Sequence, residues 1–311
     1  MNQNYKIIFF GTSEFAVPAL KKLSADRSYE IAAVVTQPDM PAGRNKVITP
    51  PPVKVEAARV GLKIFQFEVL KIGNWKLEIP PADLFIVASY GNIIPKSILD
   101  LPRFGALNIH PSLLPKYRGP SPMQTAILNG ETEVGVSVMV LDEKMDHGPI
   151  LGTAKWQMLT PKVKYQPMHD RLAELGAQLL LDILPKYLSG ELKPVPQDDN
   201  QATTTKMLTK EDGRIDWTRA AADIDRQIRA YSVWPVAWSM LEGKRFKIFE
   251  ADARPGLTGT PGMILVDDFK MTVCCGKDIL AIYELQTEGA RRMTAAEFLR
   301  GQPRIDGKQL T

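Results

Sequence analysis

The chain has 311 residues, 44% of them apolar and 24% charged, with 39 Lys and Arg against 35 Asp and Glu for a formal net charge of +4. Such a composition excludes a disordered chain and a coiled coil and provides for an ample core; at roughly 100–200 residues per domain it predicts two domains. No apolar run reaches the ~18–20 residues of a membrane span, and the first residues, MNQNYKIIFFGTSEF, carry no secretory signature. The two cysteines are adjacent, Cys274 and Cys275, which makes a poor disulfide framework and a poor zinc site and points to a reducing cytoplasm. The net charge is far from the bias of many nucleic-acid binders. Residues 208–311 hold 16 Lys and Arg against 15 Asp and Glu, so any nucleic-acid contact there must come from placed side chains such as Lys244, Arg245, Arg291 and Arg292.

Lys6–Phe10 is a continuous apolar run closed by Gly11-Thr12-Ser13, the pattern of a strand buried on both faces. An amphipathic stretch, Glu14–Ser24, and a second apolar run, Ile31–Val35, complete a βαβ unit. Next come a helix over Val53–Val60, strands over Lys63–Phe65, Asp83–Ser89 and Ala106–His110, and a helix over Pro122–Asn129. Val134–Leu141 is predicted to pair antiparallel with Ile150–Gln157, and a long helix to cover Met168–Tyr187. The alternation implies an α/β fold with a doubly wound, mostly parallel sheet. Residues 191–207, with Pro194, Pro196 and Thr203–Thr205, have linker composition. Beyond them come a short helix (Ala220–Ala230) and five short strands (Ala237–Leu241, Arg245–Ala253, Gly262–Val266, Met271–Val273 and Ile279–Leu285), the pattern of a small β-barrel. The expected organisation is a domain over 1–190, a linker over 191–207 and a barrel domain over 208–311.

Asn108 and His110, two apart on a strand, leave the same face, and Pro111 ends that strand. At the carboxyl end of a strand in an open α/β sheet they face the ligand crevice. There an amide can stabilise an oxyanion while an imidazole handles a proton. A strand-end histidine held only for structure is the competing reading. Asp146, in a turn before Gly148, could orient that imidazole, although an ordinary turn Asp fits its position as well. His147 reads as a turn residue and His169 as a structural residue at the start of the long helix. Three scattered His argue against a metal site. The Gly11 turn lacks a dinucleotide fingerprint, which disfavours an NAD enzyme. Between Pro38 and Pro52 the prolines and Gly43 argue against a regular element. Arg44, Lys46 and Lys54, with no acid from Ala42 to Lys54, make that loop a candidate phosphate-backbone contact.

With FFGTSEFAVPAL, QPDMPAGR, ASYGNIIP, LNIHPSLLPKYRGPSP, MDHGPIL, TKEDGRIDW, IRAYSVWP and KIFEA, the chain resembles the methionyl-tRNA formyltransferase family almost end to end. NIHPSLLPKYRG with the downstream Asp is specific for folate-dependent formyltransferases, and the PAGR loop and the long C-terminal domain narrow the likeness to the tRNA enzymes. The resemblance implies transfer of formyl from 10-formyltetrahydrofolate to the α-amino group of methionine on initiator Met-tRNA, by a monomer without a metal and away from membranes. It implies Asn108, His110 and Asp146 as a catalytic triad. It also implies folate contacts along Ser112, Leu113, Leu114 and Pro115, with the pterin near Ser89, Tyr90, Gly91, Asn92, Ile93 and Ile94. Arg44 and Lys46 would contact the acceptor stem, and an oligonucleotide-binding-type barrel would hold tRNA. Two positions depart from the pattern: Met40, where a basic residue is common, and His147, where a small one is. A folate-dependent enzyme acting on a sugar-nucleotide amine or another small amine is the nearest rival. A tRNA-binding module with a dead catalytic domain is a further one, disfavoured by the intact triad.

Overall fold

The structure, a computed structural model, describes residues 4–43, 46–73, 79–256, 259–302 and 304–311. The chain forms two compact units. One comprises residues 1–119, 133–157 and 169–205; the other comprises residues 120–132, 158–168 and 206–311.

The first unit is built on a seven-stranded sheet in the order β5-β2-β1-β6-β7-β8-β9. Its strands are β1 (Tyr5–Gly11), β2 (Tyr29–Thr36), β5 (Ile64–Gln66), β6 (Leu84–Ala88), β7 (Ala106–His110), β8 (Glu133–Val140) and β9 (Ile150–Gln157). β5, β2, β1, β6 and β7 run parallel, and β8 and β9 extend the sheet antiparallel. The apolar run of β1 occupies the sheet centre, with Ile7, Ile8, Phe9 and Phe10 wholly buried. Helices α1 (Val17–Ala25) and α2 (Pro52–Arg59) pack against each other and against β2. The predicted strands and helices of this part are present within a few residues, but three features differ, one of them an unexpected four-residue helix over Lys96–Leu99. The Pro/Gly-rich loop contains an antiparallel hairpin, β3 (Met40–Ala42) with β4 (Val47–Thr49), in which Pro41 lies opposite Ile48. A two-stranded edge hairpin tolerates a proline that a central strand would not. The long helix begins at Tyr165, not Met168, so His169 lies inside it.

The second unit carries an antiparallel sheet with the path β10 (Ala237–Leu241), β11 (Lys244–Arg254), β14 (Ile279–Thr287), β13 (Lys270–Cys274) and β12 (Ile264–Asp267), with β15 (Met293–Thr294) on β14. Its two open edges are joined by the last residues of the chain. Met240 and Thr311 exchange main-chain hydrogen bonds of 2.8 and 3.0 Å, Ile264 N donates to Lys308 O at 2.8 Å, and Leu310 N donates to Gly262 O at 2.9 Å. The sheet is thereby closed into the expected barrel, which satisfies edges that would otherwise be exposed. Leu310 is buried in the barrel core with Phe246, Ile248, Ile264, Leu280 and Phe298. The short helix Ala295–Arg300, absent from the expected elements, is started by a capping box between Thr294 and Glu297, a pattern visible as T-A-A-E.

Removing the buried Leu310 side chain should cost about 2–5 kcal/mol; Leu310→Ala is expected to lower the urea midpoint with little change in slope. Cys274 and Cys275 are buried free thiols, and burial, helped by the neighbouring Cys274, pushes Cys275 up to about 12. An aromatic disulfide reagent should therefore find no fast-reacting thiol in the native protein and two after denaturation. Because the folded thiol stays protonated where an unfolded one ionises, the Cys275 contribution is complete below the ordinary value of 9.0 and is lost as pH rises towards about 12.

Candidate active site

From β1 the chain winds outward through β2 to β5, then returns to β6 on the other side of β1. That reversal opens a crevice beyond the carboxyl ends of β1 and β6. Its two rims are fastened together. Thr12 N donates to Ser89 O at 3.1 Å, Thr12 Oγ1 to Tyr90 O at 2.7 Å and Ser13 Oγ to Ser89 Oγ at 2.7 Å. Gln37, just after β2, donates from Nε2 to Asn92 Oδ1 at 3.2 Å. Within Ser89–Ile94, Tyr90 is buried, which raises the pKa of its phenol, while Ser89 and Gly91 are exposed and Ile93 is 89% exposed.

Next to β6, β7 brings Asn108 and His110 onto one face. His110 is 4% exposed. Its Nε2 lies 3.0 Å from Tyr117 O, and since a carbonyl only accepts, that nitrogen carries the proton. Its Nδ1 faces Asp146 Oδ1 at 3.5 Å. The same Oδ1 lies 3.5 Å from Asn108 Nδ2, a contact long for a hydrogen bond. The other oxygen, Oδ2, accepts a 2.7 Å hydrogen bond from Gly119 N. Sequence reasoning named these three side chains, and the fold brings them together.

The carboxylate reaches this point by an indirect route. β8 is antiparallel to β7, with Val140 opposite Leu107 and Ser137 opposite His110. The loop after Val140 therefore starts at the far end of β7 and must come back by about 10 Å, at ~3.3 Å per residue. Asp146 turns in the left-handed region (φ +49°). Gly148 lies so tightly against β8 that a Cβ there would come within 1.8 Å of Val140 O.

The segment after His110 is equally constrained. Ser112 and Leu114 are buried; Ser112 Oγ donates to Lys116 O at 2.6 Å and Leu114 N to Ser137 Oγ at 3.0 Å. Leu113 packs over Gly135, and Leu113 and Pro115 are half-exposed. Gly119, with φ +110°, has no room for a Cβ, which would come within 2.8 Å of Thr205 O. Residues 195–205, of linker composition, are hydrogen-bonded onto this loop. Arg118 N donates to Thr203 O at 2.9 Å, Thr205 N to Arg118 O at 2.7 Å and Tyr117 N to Thr203 Oγ1 at 2.8 Å. Gln37, Arg118 and Gln197 were not identified from the sequence. Arg118 could have been, as a charge inside the NIHPSLLPKYRG motif; Gln197, between Pro196 and Asp198, gave no signal.

Lys46 is exposed and left-handed (φ +50°), while Arg44 lies outside the described residues. Lys54 donates to Asp39 at 2.7 Å and to Gln66 Oε1 at 2.9 Å, and its bond to Asp39, together with one from Gln66 Nε2 at 2.8 Å, holds Asp39 below the usual carboxylate range. The basic run is therefore partly neutralised by an acid just before it. On the hairpin, Met40, Val47 and Ile48 are each about 60% exposed. His147 is bridged to Asp142 at 2.7 Å and to Asp199 at 3.5 Å. His169 is buried against Phe15 with its Nδ1 on Asp170. Among the described residues no group of three or more His, Cys, Asp or Glu could hold a metal ion, and no helix is long and apolar enough to cross a membrane.

Residues 5–184 match the formyl transferase family and residues 207–303 match the formyl transferase C-terminal domain. A methionyl-tRNA formyltransferase from Chloroflexus aggregans is 46% identical over 301 residues, covering 95% of this chain and 97% of its own. Among solved structures, methionyl-tRNA formyltransferase from Clostridium thermocellum aligns with a TM-score of 0.56 at 18% identity, over 81% of this chain and 95% of its own. HypX from Aquifex aeolicus in complex with tetrahydrofolic acid aligns with a TM-score of 0.66 at 19% identity, over 96% of this chain, which spans about half of HypX (47%). At such identities the two structures speak for the fold alone. The two family matches and the near-complete alignment with a curated relative show that this chain belongs to the formyl transferase family.

Proposed function

We propose that this chain transfers a formyl group from 10-formyltetrahydrofolate to the α-amino group of methionine on initiator Met-tRNA, as a monomer in the cytoplasm. The observation that carries the chemistry is the convergence of Asn108, His110 and Asp146 at the carboxyl end of β7. The acceptor is argued from the 46% identity to a protein named for this reaction. Residues 1–190 serve as the catalytic domain and 208–311 hold tRNA, with 191–207 between them. Arg44 and Lys46 contact the acceptor stem.

An α-amino group titrates near ~7.7–8.0, so a useful fraction of it is neutral at physiological pH. Alignment of the amine with the formyl carbon and stabilisation of charge on the formyl oxygen are then the main tasks. The folate supplies a formyl group already activated on nitrogen. The exposed rim at Ser89, Gly91 and Ile93 beside half-buried Asn92 fits a flat, polar-edged ring, with Ser112–Pro115 along its other side. Asn108 donates Nδ2–H to the formyl oxygen; its long contact with Asp146 leaves that donor available. His110 has its Nε2–H committed to Tyr117 O, which supports Nδ1 as the atom that takes the amine proton and passes it to the departing folate nitrogen. Asp146, whose Oδ1 faces Nδ1 at 3.5 Å, balances the charge that the imidazole gains on taking that proton.

Asn108→Ala and His110→Ala should each lower kcat by about 10²–10³ with smaller changes in KM, in a transfer assay with 10-formyltetrahydrofolate. Near-normal rates in both variants would overturn the triad. The same assay should favour initiator Met-tRNA over elongator Met-tRNA, free methionine and an amino-sugar nucleotide; no preference for the first would sink the acceptor assignment. Affinity for tRNA should fall steeply with salt, and Arg44→Ala should reduce that dependence by about one phosphate contact.

A further inference from the structure

The amide of Gln197 lies behind the triad. Its Nε2 donates to the main-chain oxygens of Asp146 (2.9 Å) and Gly148 (2.8 Å), and its Oε1 accepts from Arg118 Nε (3.0 Å) and Nη2 (2.9 Å). These four bonds use the ordinary capacity of a primary amide, two donated and two accepted. They also set its orientation, because a flipped amide would set its oxygen against two carbonyls and its NH₂ against a guanidinium. Both groups that it grips belong to the segments that supply the site. Asp146 and Gly148 lie on the loop that returns along β7. Arg118 lies between Tyr117, whose carbonyl accepts from His110, and Gly119, whose N–H holds the Asp146 carboxylate.

We propose that Gln197 is a positioning residue for formyl transfer, one amide tying the Asp146 turn to the Arg118 segment so that carboxylate and imidazole keep their register. The inference rests on the assignment of Asp146 above. Asp146 needs such a tether for two reasons: a non-glycine residue at φ +49° adopts a conformation the chain does not favour on its own, and its loop enters from the far end of β7. Arg118 is itself anchored to Asp199 at 2.8 Å, and this contact holds the Asp199 carboxyl below its usual range. With the Arg118 side chain only 11% exposed and its main chain bonded to Thr203 and Thr205, Gln197 connects the turn to a held segment and not to a free surface side chain. It hydrogen-bonds neither Asn108 nor the imidazole; beyond a weak contact with Met139 Sδ at 4.0 Å, its hold on the site runs through Asp146 and Tyr117–Gly119.

The test is a double-mutant cycle in full-length protein, assayed with 10-formyltetrahydrofolate and initiator Met-tRNA. Gln197→Met keeps the size and removes all four bonds. Gln197→Glu keeps the Arg118 contact but turns a carboxylate oxygen on two carbonyls, so it remains informative if the methionine variant does not fold. Displacement of a reacting group by about 1 Å can cost about 10²-fold in rate. Each variant should accordingly lower kcat about 10- to 100-fold, with KM for both substrates within about threefold and a native circular dichroism spectrum. In an Asp146→Asn background the same substitutions should change kcat by less than about twofold, since residues acting as one unit are not additive. Single variants with kcat within threefold of the parent, or an equal loss in the Asp146→Asn background, would overturn the proposal while leaving the Asp146 assignment standing. A fully active Asp146→Asn would remove that assignment, and this inference with it.

Discussion

The geometry of this site depends on the hydrogen bond from Gly119 N to Asp146 Oδ2, at 2.7 Å. It joins two loops that the sheet alone would keep apart. One leaves β7 at His110; the other leaves β8 beside Leu107, at the opposite end of the same strand, because β8 runs antiparallel. A charge-assisted bond from a main-chain donor is short and strong, and here the donor is a glycine at φ +110° against the chain of Thr205. Any side chain at position 119 would meet that chain before the N–H could point at the carboxylate. With Oδ2 held this way, Oδ1 is left turned to both Asn108 and His110.

The same sheet explains why the site sits where parallel and antiparallel pairing meet. β7 has parallel β6 on one side and antiparallel β8 on the other. From β6 comes the Ser89–Ile94 rim at the switch point, and from the β8–β9 connection comes the carboxylate. A wholly parallel sheet would deliver the loop that follows each strand at the carboxyl ends and would not need the return along β7. The antiparallel edge imposes that return, and tight packing at Gly148, with the left-handed turn at Asp146, is how the chain makes it.

Much of this was legible in the residues. Ala106–His110 and Ile150–Gln157 could be bounded because apolar periodicity and Pro111 mark them, and the i, i+2 placement of Asn108 and His110 followed directly. The barrel strands were legible because Gly and Pro separate them. What was not legible depends on partners distant in sequence. The β3–β4 hairpin sits in a run whose prolines speak against it. The segment around Gln197 looks like a spacer because Pro194, Pro196 and Asp198 dominate its composition, yet Val195 bridges Ile150 and Thr204 bridges Arg118. The strand-like role of Lys308–Thr311 is equally hidden, since four terminal residues carry no period of their own.

Electrostatics makes a similar point about local and bulk properties. The net charge of +4 says little about tRNA, and the placed cations narrow the question further. Arg291 pairs with Glu297 at 2.9 Å, Arg292 pairs with Glu284 and lies over Phe249, and Arg245 lies 4.2 Å over the Trp238 ring. Exposed ion pairs of this kind are worth at most about 1 kcal/mol, so a phosphate can displace the acid at small cost. Arg245, like Arg292, rests its guanidinium on an aromatic face, which orients it. A nucleic-acid contact on the barrel would therefore draw on cations that are already oriented, and specificity would come from their positions and not from their number.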